Sequence, residues 1–391
     1  MLLVTAMMLC VAPQEPRDLE ALLRSDERCA AIVERARDHR LQVLLAEPVV
    51  HDDGRVTLRR SHLGDAERYW YPASSIKLCG AVAVLIELQA HNREHGTALG
   101  LDSPLVIEPR FDGDARVAED ASNVDGGLLT VRHALRKMLI VSDNQAYNHC
   151  FEVCGQDGIN RAMWHAGLSS VRLWHRLSES RTLDENRVTR AVRIGDARLA
   201  ARDAGVDLDN SHLLERRIGD AYMNGGERVD GAMSFDHKNA ITLQDLQDLL
   251  VEVVRPEIDS GKRGFPELSV ANRAFLVNTL GSFPRESQNP VYDGVADHEL
   301  KSTLRGMRRV VPAASLRIYN KTGRAYGFSI ENAYVEDERT GRGFFLSVVL
   351  HTNPNGVLND DDYSYDELAV PFLDAVGEVV ARAVFGGGDR K

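Results

Sequence analysis

YPASSIKL, residues 71–78, sets a serine three positions before a lysine, and an apolar run begins at once behind them. On a helical turn, residues i and i+3 share one face, so the amine of Lys77 can reach the hydroxyl of Ser74. The run that follows, LCGAVAVLIELQA from Leu78, is apolar on nearly all sides, which predicts a helix buried all round. A lysine at its start has little route to water. Burial and the positive end of a helix both disfavour an ammonium, so Lys77 is pushed towards the neutral amine that can accept the serine proton. The Ser74 backbone N–H would leave the helix end as half of an oxyanion hole. The plainer reading is a helix-start serine beside a lysine that snorkels to solvent, and the apolar surroundings count against it.

Alone, S-x-x-K says little, because about one or two copies arise by chance in a chain of this length. Two rarer strings follow it in order: Ser142-Asp143-Asn144 and Lys321-Thr322-Gly323. Each is expected at under ~0.1 copies, and all three in this order at roughly one in a thousand. Lysine is also scarce, with seven against forty arginines, so a lysine inside a motif is informative. Ser142 follows the amphipathic run TVRHALRKML, capped by Thr130, and precedes QAYNHCFEVCG. A loop between two helices can aim Ser142 to relay a proton to a leaving group, with Asn144 holding a substrate carbonyl and Asp143 bracing the loop. Outside such a set, S-D-N is more often a turn that binds its own backbone. Lys321 and Thr322 offer a cation and a hydroxyl to a carboxylate at a strand edge. Gly323 lets backbone come close, and the Arg324 N–H would be the second oxyanion donor. A tight hairpin turn is the competing reading for K-T-G.

Outward from these motifs, strands come from both ends of the chain and helices from the middle. Arg17 to Arg40 reads as a helix, and LQVLLAEPVV from Leu41 and RVTLRRSHL from Arg55 read as strands around the turn HDDG. TLQDLQDLLVEVV is a helix capped by Thr242 and stopped by Pro256. SLRIYNKTG, FSIENAYVED and GFFLSVVLHT are strands, and DELAVPFLDAVGEVVARAVF closes as a helix. Short connections favour an antiparallel sheet. The expected class is α+β: an α/β lobe from residues 17–70 and 312–385, and an all-α lobe from 71–311, together one catalytic unit over 14–391. Residues 181–231, polar and rich in Asp and Arg, resist assignment.

Composition narrows the function. With 43% hydrophobic and 27% charged residues over 391 positions, the chain reads as globular and soluble, and a net charge of −11 without a basic stripe argues against nucleic acid. Residues 1–13 hold a candidate signal segment, MLLVTAMMLCVA, too short to span a bilayer, from which an exported location is expected; a frayed apolar terminus is the alternative. No later stretch is expected to span a membrane. Five scattered cysteines form no disulfide framework. Cys150 and Cys154, one turn apart beside His149, read as buried helix thiols rather than one arm of a metal site, and no metal or cofactor is expected.

S-x-x-K, S-D-N and K-T-G in this order resemble the serine β-lactamases and penicillin-binding proteins, and SDNQAYN and KTGRAYG resemble the class A β-lactamases in particular. The resemblance covers most of the chain from about Arg17. It implies Ser74 as nucleophile, Lys77 as proton acceptor, Ser142 as relay, Asn144 as substrate contact, Lys321 and Thr322 as the carboxylate pair, and Asn148 as the asparagine just after S-D-N. It also implies a small β-lactam or cell-wall peptide-like substrate. One element departs. The family's E-x-x-L-N, whose glutamate activates the deacylating water, is missing from GLSSVRLWHRLSESRTLDEN. Glu179 is the nearest carboxylate, one or two places late, and Glu185 the next; both compete with the reading of a solvated loop charge. Three functions follow from this: an acyl-enzyme former acting on β-lactams or related amides, a peptidase or small-ester hydrolase, and a non-catalytic protein that keeps the cleft.

Overall fold

A computed structural model describes residues 15–386; the candidate signal segment and Cys10 lie outside them. The chain opens with α1 (Leu19–Arg24) and α2 (Glu27–Glu34), then strands β1 (Gln42–Val50) and β2 (Val56–Leu63). Helices α3 (Lys77–His95), α4 (Val131–Ile140), α5 (Asn144–His165) and α6 (Leu243–Val254) follow, then the short strand β3 (Ile258–Asp259) and α7 (Val270–Gly281). Strands β4 (Leu316–Asn320), β5 (Gly323–Ala325), β6 (Phe328–Asp337) and β7 (Arg342–His351) lead to the closing helix α8 (Val370–Phe385).

The seven strands form one mixed sheet in the order β3-β2-β1-β7-β6-β4, with β5 continuing the β4 edge along β6. Only the β3–β2 pair is parallel. The seam between the two ends of the chain is β1 on β7, with Gln42 opposite Val349 and Ala46 opposite Phe345. Alternate side chains serve opposite faces. Leu44, Ala46, Phe345 and Val349 pack with α3, α5 and α6, whereas Val43, Leu45, Leu346 and Val348 pack with α1, α2 and α8. This two-sided burial explains why β1 and β7 read as nearly unbroken apolar runs.

Two expectations need correction, and a third feature needs a physical account. The helix expected over Arg17 to Arg40 is two short ones, because Asp26 caps a new start by accepting the Arg28 N–H at 3.0 Å. The segment 71–311 is not all helix. It carries the hairpins Val192–Ile194/Ala197–Leu199 and Ala221–Asn224/Glu227–Asp230, among other short strands. The second hairpin turns on Gly225 and Gly226, at φ 60 and 89, the conformation that a two-residue turn between twisted strands requires. Third, Ala73–His95 is long and apolar enough to cross a membrane by length and composition, but 72% of its most apolar window is buried inside the fold. It passes that test because a helix buried all round has no polar face.

Candidate active site

Ser74 lies in a 3-10 turn, Ala73–Ile76, that runs directly into α3, and Lys77 is the first α-helical residue. Ser74 is half-buried and lines two cavities, one of about 970 Å³ and one of about 770 Å³. Ala73 enters the turn with φ 48, and Ser142 sits between α4 and α5 with φ 65. Neither is glycine, and such backbones cost about 1–3 kcal/mol each, so the surrounding packing over-determines them. Asp143 N donates to Lys137 O in the last turn of α4 at 3.2 Å, and the Asp143 side chain caps α5 on Ala146 N–H at 2.8 Å, which fixes the two helix ends on either side of Ser142; Thr130 caps the far end of α4 on the His133 N–H at 3.1 Å.

The K-T-G segment reaches this turn by direct backbone contact. A Cβ on Gly323 would lie 2.7 Å from Pro72 O, 2.8 Å from Ser75 N and 3.1 Å from Ser74 N, so only glycine allows the strand to come this close. The approach brings the N–H of Ser74 and the segment containing Arg324 into one place.

Two buried amines meet at Ser142. Lys77 Nζ donates to the Ser142 carbonyl, to Ser142 Oγ at 3.2 Å and to Asn144 Oδ1 at 2.7 Å. Lys321 Nζ donates to Ser142 Oγ at 2.8 Å and to Thr322 O at 2.9 Å. Burial, helped by the Lys321 charge and opposed by Asp143, pushes Lys77 down to about 6. Burial also pushes Lys321 down to about 7, with Glu331 opposing and Lys301 adding. The direct bond expected between Lys77 and Ser74 Oγ is not made among the described residues. The inward-turned Ser142 carbonyl and Asn144 hold the amine instead. Behind Lys321, Lys301 Nζ donates to Leu280 O at 2.9 Å, Ile318 O at 2.6 Å and Asn320 Oδ1 at 2.9 Å, while Asn320 Nδ2 donates to the buried Glu331 at 2.7 Å. Sequence reading missed this network, although the scarcity of lysine was a usable signal for Lys301.

The loop after α5 supplies the other wall. Asn148, for which the sequence named no partner, is bonded at both ends of its amide: Leu177 N donates to Oδ1 at 2.8 Å, and Nδ2 donates to Leu177 O at 3.0 Å and Glu179 Oε2 at 3.0 Å. Glu179 reaches the larger cavity with Ser74 and Asn144. Its other oxygen accepts from Arg181 Nε at 2.7 Å, and Arg181 also pairs with Asp114. Glu185 is spent elsewhere, accepting the Thr182 N–H at 2.7 Å in a capping box. The loop is anchored by a fully buried pair: Arg176 Nε and Nη2 donate to Glu152 at 2.8 and 3.0 Å, and Arg190 N donates to Glu152 at 2.7 Å. The signal for it was a glutamate inside the apolar run CFEVC. Cys150 and Cys154 on the same helix are buried, and no cluster of metal-ligating side chains occurs among the described residues.

A third wall comes from the segment after β7. Val357–Leu358 pairs in parallel with Ala221–Asn224, which carries Asn359, Asp361, Tyr363 and Tyr365 to the cavity mouth beside His237 and Lys238. Four residues of the acidic and aromatic stretch LNDDDYSYDE, residues 358–367, therefore line the cleft.

Residues 64–262, just over half the chain, match the Beta-lactamase enzyme family. No curated protein matches the sequence. Among solved structures, a beta lactamase from Xanthomonas campestris pv. campestris is similar at TM-score 0.51 and 18% identity, over 94% of this chain and 99% of that one. A beta-lactamase from Desulfarculus baarsii is similar at TM-score 0.50 and 18% identity, over 94% and 98%. At that identity the likeness speaks for the fold, and the matched span contains Ser74, Lys77, Ser142 and the loop through Glu179. The sheet built from both chain ends and the family match agree, and the chain belongs to the beta-lactamase enzyme family.

Proposed function

We propose that the protein is a serine hydrolase that forms an acyl-enzyme on Ser74 with a β-lactam or a related amide and releases it slowly. The observation that carries the reading is the convergence of Lys77 and Lys321 on Ser142, with Gly323 pressed against the backbone of the Ser74 turn. With Lys77 held to about 6, its amine is mostly neutral at pH 7 and acts as the base for the Ser74 hydroxyl. Ser142 Oγ, within hydrogen-bond distance of both amines, relays that proton to the leaving nitrogen as the C–N bond breaks. Lys321 and Thr322 hold the substrate carboxylate, and Asn144 holds a substrate carbonyl. The N–H groups of Ser74 and Arg324 take the developing oxyanion.

Slow release follows from Glu179. Both its oxygens already accept hydrogen bonds, one from Arg181 and one from Asn148, so a deacylating water must compete with these partners for a place on the carboxylate. A general base contributes about 10²–10⁴-fold when it is free to act. This favours a penicillin-binding-like acyl-enzyme former over a fast lactamase. The test is incubation with a fluorescent penicillin followed by intact-mass and peptide analysis. A stable adduct on Ser74 is expected, and folded protein that acquires none refutes β-lactam recognition. Simple-ester hydrolysis lost in Ser74→Ala would then select an esterase.

A further inference from the structure

Arg324 follows the glycine that touches the Ser74 turn, and its side chain makes no ion pair among the described residues. Its guanidinium lies over the Tyr365 ring, 4.9 Å from the centroid, and the residue is exposed. It lines both cavities that meet at Ser74, and two residues before it on the same strand edge Thr322 lines the smaller one. The other arginines lining these cavities differ: Arg176, Arg181 and Arg305 are all paired with carboxylates. Lys238, in the larger cavity, resembles Arg324. It lies over the Tyr326 ring at 5.7 Å and pairs with no carboxylate among the described residues. Asp361 shares that cavity and forms an ion pair with neither cation.

We propose that Arg324, with Lys238 in the same cleft, selects substrates carrying a second anionic group beyond the carboxylate assigned to Lys321 and Thr322. The inference rests on the Ser74 acyl-enzyme reading and deepens it by naming the substrate class: dianions whose second charge is a carboxylate. A guanidinium presents a planar fork that a carboxylate meets with two parallel hydrogen bonds, and the Tyr365 ring beneath it fixes the plane of that fork. In open water such a pair is worth little. A substrate filling the cleft displaces the water and restores its strength.

The experiment compares benzylpenicillin, with one carboxylate, and α-carboxybenzylpenicillin, with two. The second-order rate constant for the Ser74 adduct is read by intact mass in the wild type, Arg324→Ala and Arg324→Lys. The ratio of dianion to monoanion rates should fall about tenfold in Arg324→Ala, the scale of one charged hydrogen bond, and be partly recovered in Arg324→Lys. An unchanged ratio overturns the proposal, as does an equal loss on both compounds. Calorimetric binding of the same compounds to Ser74→Ala protein, with and without Arg324→Ala, judges the subsite without chemistry. The dianion should lose about tenfold in affinity there, and equal affinity or no dianion binding overturns the proposal. Failure of both compounds to label Ser74 in the wild type overturns the acyl-enzyme reading alone, and the binding arm still decides Arg324.

Discussion

Replacing Gly323 by alanine tests whether the site depends on backbone-to-backbone contact. The new Cβ would stand 2.7 Å from Pro72 O and 2.8 Å from Ser75 N, and neither is a side chain that can swing aside. Ordinary C···O approach is about 3.3 Å, so the strand or the Ser74 turn must retreat by about 0.6 Å. Over-packing of this kind costs about 1–3 kcal/mol of stability. A misplacement of about 1 Å at reacting groups costs about 10²-fold in rate, so about tenfold is expected here. Denaturant unfolding reads the first quantity, and the rate of Ser74 labelling by a fluorescent penicillin reads the second. Gly100→Ala is the control, since a Cβ at Gly100 meets nothing within 4 Å. A folded Gly323→Ala protein that labels at the wild-type rate refutes the reasoning.

Three further outcomes are expected. The second-order acylation rate should rise as pH passes about 6, where Lys77 becomes neutral, and fall as pH passes about 7, where Lys321 loses its charge; a flat profile from pH 5 to 9 counts against both roles. Glu179→Gln should change the lifetime of the acyl-enzyme by less than about threefold, because the carboxylate is already engaged; a 10²-fold longer lifetime would instead make it the deacylation base. Glu152→Ala leaves Arg176 buried without its carboxylate and should lower unfolding free energy by about 3–5 kcal/mol in urea titration, and a loss below about 1 kcal/mol would remove its anchoring role.

The parts of this molecule written in local pattern were legible. Alternation in SLRIYN gave a strand, Thr130 and Thr242 gave helix starts, and three short strings named the residues that meet at Ser142. What escaped depends on distant partners. Asn148 is bonded to a loop that lies 29 to 31 residues later, and the fate of Glu179 turns on Arg181 being held by Asp114, 67 residues away. The hairpin at Asn224-Gly225-Gly226-Glu227 had a readable turn signal, but its strands are short and polar, and their pairing with Val357–Leu358 is invisible locally. The break at Asp26 was hidden because the apolar pattern of the first helix runs on across the cap.

The β1–β7 seam has a consequence for how the molecule is made. A ribosome delivers β1 long before β7, so one edge of an apolar strand waits unpaired while nearly three hundred residues emerge. Such an edge invites wrong partners, and contacts this distant in sequence form late. Lys321 likewise arrives long after Ser74, so the cluster of amines around Ser142 cannot assemble until the last strands are translated.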